Sequence, residues 1–366
     1  MKKLHRIIRR SSAILLGLVF FASGIVKLID PVGAGLVMSE YFKFFNLAFL
    51  SPLAKASGTA MAFMETVMGA GLISGVWRKF FAWLTVAVTL FFTFLTLLLY
   101  IKNPVMDCGC FGEAIHLTHL QTFLKNIVLL LLCLLAFAPF KSFGPVRKIK
   151  YYAFGSVVLL MAFLTVISLR DIPSVDFTDY KPGAELQAAA DYSHDEGEDM
   201  DESHPVLSLL DSDWNYCDED AVQGNIMAIS VYDPARVADW SAISSRMMEA
   251  EMAGFVPMLL VSGTPDMVSS ALQAGMSEWE ADAIMENVRF ADYKTLLTLN
   301  RSNGGATYIS DGVIVAKWSA RAFPEQEELE KVAESNPVEV MLKRSNRGRL
   351  LLEGIALYSL GAMLLL

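Results

Sequence analysis

Cys108 and Cys110 are separated by a single glycine in the polar turn Asp107-Cys108-Gly109-Cys110-Phe111-Gly112, which lies between two long apolar runs. Residues two apart on a turned backbone bring their Cα atoms near the upper end of the roughly 4.4 to 6.8 Å a disulfide tolerates, and the small ring so closed is strained. Strain makes a bond easier to reduce, and a glycine removes the side chain that would resist the tight turn, so the spacing suits an exchanging bond better than a structural one. An oxidant of this kind needs a thiolate attacking from a partner and an electron acceptor to regenerate it. A membrane offers quinone for that second task. Two other readings stay open: a pair of metal thiolates, or two free thiols packed in a loop. The metal reading takes a definite form in Cys108, Cys110, His116 and His119, because sulfur with imidazole is what zinc prefers. Structural zinc sites more often use C-x2-C spacing, and His119 falls where the next helix begins, so that set is the minority reading. Cys133 and Cys217 complete the four cysteines, too few for a disulfide-stapled fold.

Inside the apolar runs, Glu65 is the polar group that most needs explaining, since a carboxylate at the centre of a membrane helix is unfavourable by roughly 2.5 to 3.5 kcal/mol. Lys27 and Asn126 are the candidates to satisfy it, either as polar glue between helices or for handling a proton or quinone.

These residues must be held by a membrane bundle. The chain has 366 residues, 54% of them hydrophobic, and a mean hydropathy of +0.42. Its apolar residues are gathered into runs, as in an integral membrane protein with a soluble part. A hydrocarbon core roughly 30 Å thick takes roughly 20 residues of helix, and five such windows occur, near Ser12–Leu28, Ala56–Val76, Phe80–Ile101, Leu120–Phe140 and Tyr151–Leu169. The leader carries Lys2, Lys3, Arg6, Arg9 and Arg10, and is read as the start of a retained first helix rather than a cleaved signal. That leader, Arg78-Lys79, and the loop with Lys141, Arg147, Lys148 and Lys150 share one side if all five windows span. The positive-inside bias makes that side cytoplasmic. The cysteine loop and everything after the fifth helix then face the periplasm, where a disulfide is chemically permitted.

Charge divides the same way. From Asp171 to Arg347 there are 33 acidic and 12 basic residues, a balance of −21; with −9 overall, the rest carries +12. An acidic soluble part argues against nucleic acid as a partner. The domains expected are a bundle at 1–145, a fifth helix at 146–170, a solvated acidic linker at 171–205, an α/β domain at 206–340 and a sixth membrane segment at 348–366. The linker includes the run Asp195–Glu202, which lacks EF-hand spacing. The last segment, 17 residues from Leu350 and apolar apart from Glu353 and Ser359, is short for a span and follows Lys343, Arg344, Arg347 and Arg349; an interfacial helix is its rival.

Within the α/β domain, Asn225–Val231 and Val256–Ser262 read as strands and Val237–Met252 as a helix between them. Thr264-Pro265 and the Ser277/Glu280 capping box mark helix starts. A helix at Tyr293–Asn300 is followed by a hairpin, Ala306–Ile309 and Val313–Lys317, turned by Asp311-Gly312, and a last helix opens after Pro324.

The stretch Leu16–Pro31, Glu65 followed by Gly69, and the cysteine loop before Thr122-Phe123-Leu124-Lys125-Asn126 resemble the MauE/DoxX group of small membrane proteins over residues 10–140. The resemblance implies a four-helix unit. It also implies, from the MauE branch, a role in forming or maintaining disulfides of periplasmic proteins, with Cys108 and Cys110 as the exchanging pair. The chain is similar to Bacteroidetes versions with an appended soluble domain. Arg301–Ile309 with Asp311-Gly312 resembles the turn and hairpin of a thioredoxin fold. The two catalytic features of that fold are replaced: Ser230-Val231-Tyr232-Asp233-Pro234 stands where a C-x-x-C follows the first core strand, and Gly304 where the usual cis-proline stands. The degenerate domain is expected to present a client to the loop, with Cys217 a lone thiol. The fold expected is therefore mixed: an α-helical membrane bundle, then a thioredoxin-like α/β domain, then a membrane helix. The function expected is thiol-disulfide exchange with a periplasmic thiol or disulfide protein, in contact with membrane lipid. The rival is a non-enzymatic, membrane-anchored binding or scaffold protein.

Overall fold

The computed structural model describes residues 2–104, 106, 108–138, 146–187 and 204–365. Asp107, Lys141 and the acidic run 195–202 lie outside the described residues. The chain separates into two compact units, Met1–Arg170 with Leu351–Leu366, and Asp171–Leu350.

The first unit is a helical bundle: α1 Lys2–Ile29, α2 Pro31–Phe44, α3 Ala54–Ser74, α4 Arg78–Lys102, α5 His119–Phe137 and α6 Lys148–Arg170, with a short extended segment, β1 Cys110–Glu113, between α4 and α5. Four of its helices, Leu4–Ile29, Arg78–Lys102, His119–Phe137 and Lys148–Arg170, are long and apolar enough to cross a membrane. The window expected at Ala56–Val76 is the helix α3, but α3 is not among those four. Its Ser57, Thr59, Glu65 and Thr66 dilute its hydropathy, and most of its length is buried against its neighbours. Helix α2 was not legible as an element. It starts where Asp30 accepts the Gly33 amide at 2.9 Å and Pro31 occupies the first turn, a helix-start arrangement.

Small residues let α1 and α3 touch backbone to backbone. A Cβ on Gly24 would stand 2.1 Å from Thr66 Oγ1, and one on Gly69 2.5 Å from the Phe21 amide nitrogen. This close approach is how helices associate where apolar burial discriminates poorly. The basic leader has a structural task as well. Arg9 Nε donates to Ala136 O at 3.1 Å, and Arg10 donates to Leu72 O at 2.9 Å and to Ile73 O, so guanidinium groups satisfy the last carbonyls of α5 and α3. Lys150 lies within electrostatic reach of Arg10, Arg78 and Arg147, so the basic residues meet at one end of the bundle. From that end α4 runs to Asn103, whose left-handed backbone (φ 43°) stops the helix and starts the cysteine loop at the opposite end.

The second unit is built on a mixed five-stranded sheet, with β2 Asn225–Val231, β3 Val256–Val261, β4 Val288–Phe290, β5 Gly305–Ser310 and β6 Val313–Trp318 in the order β4-β3-β2-β5-β6. Strands β4, β3 and β2 are parallel, while β5 runs antiparallel to both β2 and β6. The helices are α7 Trp240–Met252, α8 Pro265–Gln273, α9 Glu278–Glu286, α10 Tyr293–Leu299 and α11 Gln326–Glu334. Alternation along β2 feeds two cores: Met227, Ile229 and Val231 meet Ile243 and Leu272 on one face, while Ile226 and Ala228 meet Leu209 and Leu296 on the other. The hairpin turns at Asp311 (φ 45°) and Gly312 (φ 79°), the paired left-handed residues of a tight β-turn. Strand β4 is an addition to the expected order, three residues being too short to show a period.

Residues 171–187, read above as the start of a solvated linker, instead join this unit. Tyr180 and Leu186 are buried, Gly183 N donates to Ile314 O at 2.7 Å, and Leu186 N donates to Gly312 O at 2.8 Å, so the segment lies along the edge of β6. Two apolar side chains and an unpaired strand edge outweigh the local acidity. The last helix, α12 Pro337–Leu365, is continuous through the basic residues Lys343–Arg349. It is not among the four helices apolar enough to span.

Candidate functional site

The cysteine loop is held by its carbonyls. Gly109 has φ +59°, a conformation that disfavours any side chain, and a Cβ there would stand 2.2 Å from Val37 Cγ1 on α2. On one side of this turn Tyr41 donates its hydroxyl to Cys108 O at 3.0 Å; on the other Ser23 lies 2.6 Å from Cys110 O. Ser23 Oγ is also 3.0 Å from Glu65 Oε2. A serine has one hydroxyl proton, so it serves one of these acceptors at a time.

Behind the loop Lys27 Nζ bonds both oxygens of Glu65, at 3.1 and 2.8 Å, with both side chains almost fully buried. Asn126, expected as a second partner for Glu65, is turned elsewhere: its amide donates to Phe92 O at 3.2 Å and Thr96 Oγ1 at 3.1 Å, tying α5 to α4. Ser23, Lys27, Tyr41, Glu65, Cys108 and Cys110 face a common cavity of about 50 Å³, room for a water or two.

The sulfurs differ in setting. Neither sulfur is in a disulfide; Cys108 is buried and Cys110 only partly so. Cys108 Sγ is 3.0 Å from His119 Nδ1, and His119 Nε2 is 3.0 Å from Pro104 O. A carbonyl can only accept, so Nε2 carries a hydrogen and Nδ1 faces the sulfur, either taking the thiol proton or giving one to a thiolate. His119 owes its place to the start of α5, where Thr118 and Gln121 form a reciprocal capping box.

The four-ligand set Cys108, Cys110, His116 and His119 is not gathered. His116 is exposed, and no cluster of three or more His, Cys, Asp or Glu able to hold a metal occurs among the described residues. His119 is placed against a sulfur, 3.0 Å from that of Cys108.

In the second unit, the turn after β2 contains no cysteine. It is joined to the turn before β5 by Asn303, whose side chain accepts from Asp233 N at 3.0 Å and donates to Asp233 O at 2.9 Å, while Gly304 N donates to Ser230 O at 2.7 Å. Cys217 lies apart in the second core, its thiol pushed up to about 11 by burial; Arg289 opposes this and Asp220, Asp211 and Asp218 add to it.

Sequence reasoning missed Ser23 and Tyr41. Ser23 was within reach, because it lies one turn before Lys27 on the same face of α1. Tyr41 was not, since nothing foretold α2.

Compared with known proteins, residues 5–139 match the family described as methylamine utilisation protein MauE. No curated protein matches the chain, and neither does any solved structure.

Proposed function

We propose that this protein, similar over residues 5–139 to the methylamine utilisation protein MauE family, is a thiol-disulfide exchange protein of the bacterial inner membrane whose cysteine loop acts on periplasmic thiol proteins. The observation that carries this reading is the loop itself: two thiols outside any disulfide on either side of a left-handed glycine, the Cys108 carbonyl held by Tyr41 and the Cys110 carbonyl 2.6 Å from Ser23. A backbone so held, with two thiols flanking a single glycine, is arranged to open and close a strained bond.

In the oxidising direction a client dithiol loses two electrons and two protons, and the Cys108–Cys110 bond becomes two thiols. A membrane quinone is the class of acceptor suited to restore the bond. It would meet the sulfurs from outside the cavity, which admits only water. The periplasmic side is favoured for the loop because the basic residues gather at the other end of the bundle. The second unit is read as thioredoxin-like on the strength of its β3-β2-β5-β6 arrangement; lacking a dithiol of its own, it would present the client.

The test uses the full chain in detergent. A dithiol peptide is mixed with the oxidised protein, and thiols are counted by alkylation and mass. One peptide disulfide should form per chain, and none with the Cys108→Ser/Cys110→Ser variant. Equal peptide oxidation by that variant, or a wild-type pair that never forms a bond under mild oxidant, overturns the proposal.

A further inference from the structure

The two sulfurs of the loop stand in unequal surroundings, and the difference assigns them different tasks. Cys108 is 5% exposed and touches an imidazole nitrogen at 3.0 Å, whereas Cys110 reaches the surface in part. A client sulfur approaching from outside meets Cys110 first. The imidazole is oriented from behind by the Pro104 carbonyl, which leaves Nδ1 free to exchange a proton with one atom, Cys108 Sγ. This is the arrangement of a thiol with its own base, the base held by a third group.

Resting on the exchange reading above, we infer that Cys110 is the sulfur that bonds to the client and Cys108 the sulfur that leaves and returns, with His119 carrying its proton. Starting from the Cys108–Cys110 bond, a client thiolate attacks Cys110 Sγ. A client–Cys110 bond forms as the Cys110–Cys108 bond breaks, and the electron pair goes to Cys108 Sγ, which the proton on His119 Nδ1 neutralises. The client's second thiolate then attacks its own sulfur in the mixed disulfide and releases Cys110 as a thiolate, which takes a proton from water. The client is oxidised by two electrons and the loop is reduced by two. In the reverse direction Cys108 gives its proton back to His119 and attacks the mixed disulfide. Leaving sulfurs depart faster when their negative charge is stabilised, so the imidazole accelerates the step in which Cys108 is expelled.

Beside the two cysteines, the titratable groups lining the cavity behind the loop are Lys27 from α1, Tyr41 from α2, Glu65 from α3 and Lys125 from α5; α4 contributes threonines and Phe92. Lys27 and Glu65 bond each other, Tyr41 bonds the Cys108 carbonyl, and Lys125 lies 5.2 Å from the Phe111 ring centre. His119 Nδ1 stands against the Cys108 sulfur itself.

Two measurements on the full chain in detergent test the assignment. First, the oxidised wild-type protein is treated with glutathione, quenched in acid and mapped by peptide mass. The adduct is expected on Cys110, with Cys108 recovered as a thiol; an adduct mainly on Cys108 overturns the division of labour. This needs no variant and so stands whether or not a substitution folds. Second, the rate of loop reduction by glutathione is followed from about pH 5 to pH 9 in wild type and in His119→Gln. Since a positioned acid or base contributes roughly 10²- to 10⁴-fold, the variant should be at least about tenfold slower on the acid side, with an altered profile. A variant within twofold of wild type throughout, or one whose profile superimposes on wild type after scaling, removes His119 from proton transfer. If the wild-type pair never forms a bond at all, the exchange reading itself fails and takes this assignment with it.

Discussion

Lys27 Nζ sits 2.8 Å from Glu65 Oε2 beneath the cysteine loop, and Ser23 stands between the same carboxylate and the carbonyl of Cys110, its one proton serving either. An ion pair inside the bundle therefore abuts the backbone that carries the thiols. Removing one partner of a buried pair leaves the other charge uncompensated and is unfavourable by about 3 to 5 kcal/mol. Lys27→Met should lower the thermal midpoint of the detergent-solubilised protein sharply, while Lys27→Met/Glu65→Gln should recover part of the loss. A single variant as stable as wild type would show that the pair carries no such weight.

Gly109 is the backbone position least able to accept a side chain, because its φ is +59° and Val37 fills the space where a Cβ would go. Gly109→Ala should displace the loop and cost about 1 kcal/mol or more, read as faster alkylation of Cys108 by a bulky maleimide. Adding Val37→Ala should relieve the clash but not the backbone strain, giving partial reversal. Complete reversal would mean that only space mattered.

Cys217 should react slowly with alkylating agents at neutral pH, its thiol pushed up to about 11 chiefly by burial. Its alkylation rate should climb roughly tenfold per unit as pH rises toward that value, since the thiolate is the reactive form. A rate that levels off near pH 8 contradicts this.

Asp176 and Lys317 form a buried pair at 2.6 Å in the second unit. Burial alone would raise the Asp176 carboxyl, but the charge and hydrogen bond of Lys317 and the bonds from Thr178 outweigh it and hold the group below its ordinary value. A carboxylate depressed in the folded state adds stability that is fully present above its unfolded value, about 3.9, and is lost as pH falls through the folded one. The urea midpoint of this unit, followed by proteolysis of the full chain, should therefore drop on acidification below about pH 4. Asp176→Asn should start lower and show a shallower acid limb; an unchanged limb would assign the acid sensitivity elsewhere.

Much of this architecture was legible in order. Strand β2 occupies Asn225–Val231 as its apolar run suggested, Asp311-Gly312 turns the β5–β6 hairpin, and Ser277 with Glu280 opens α9. Each depends on residues adjacent in the chain, where local propensity and hydrogen bonding decide the outcome. Less legible were β4, too short for any period, and α2, whose Gly33, Gly35 and Ser39 obscure an apolar run. Residues 171–187 were misjudged because their acidity is local, whereas the strand edge that holds them is formed by Gly312–Ile314, far along the chain.

By itself the sequence determined that long apolar helices would bracket a Cys-Gly-Cys turn and that an acidic α/β unit would follow, because hydropathy and charge act through composition and nearest neighbours. It also carried a lysine and a glutamate that burial would force together. Only the tertiary structure decided that His119 faces the Cys108 sulfur while His116 is exposed, that Asn126 turns to α4, and that Ser23 and Tyr41 meet the loop carbonyls. Those choices rest on which helix faces meet across tens of residues, and a contact of 3 Å depends on the orientation of two backbones that no local pattern encodes.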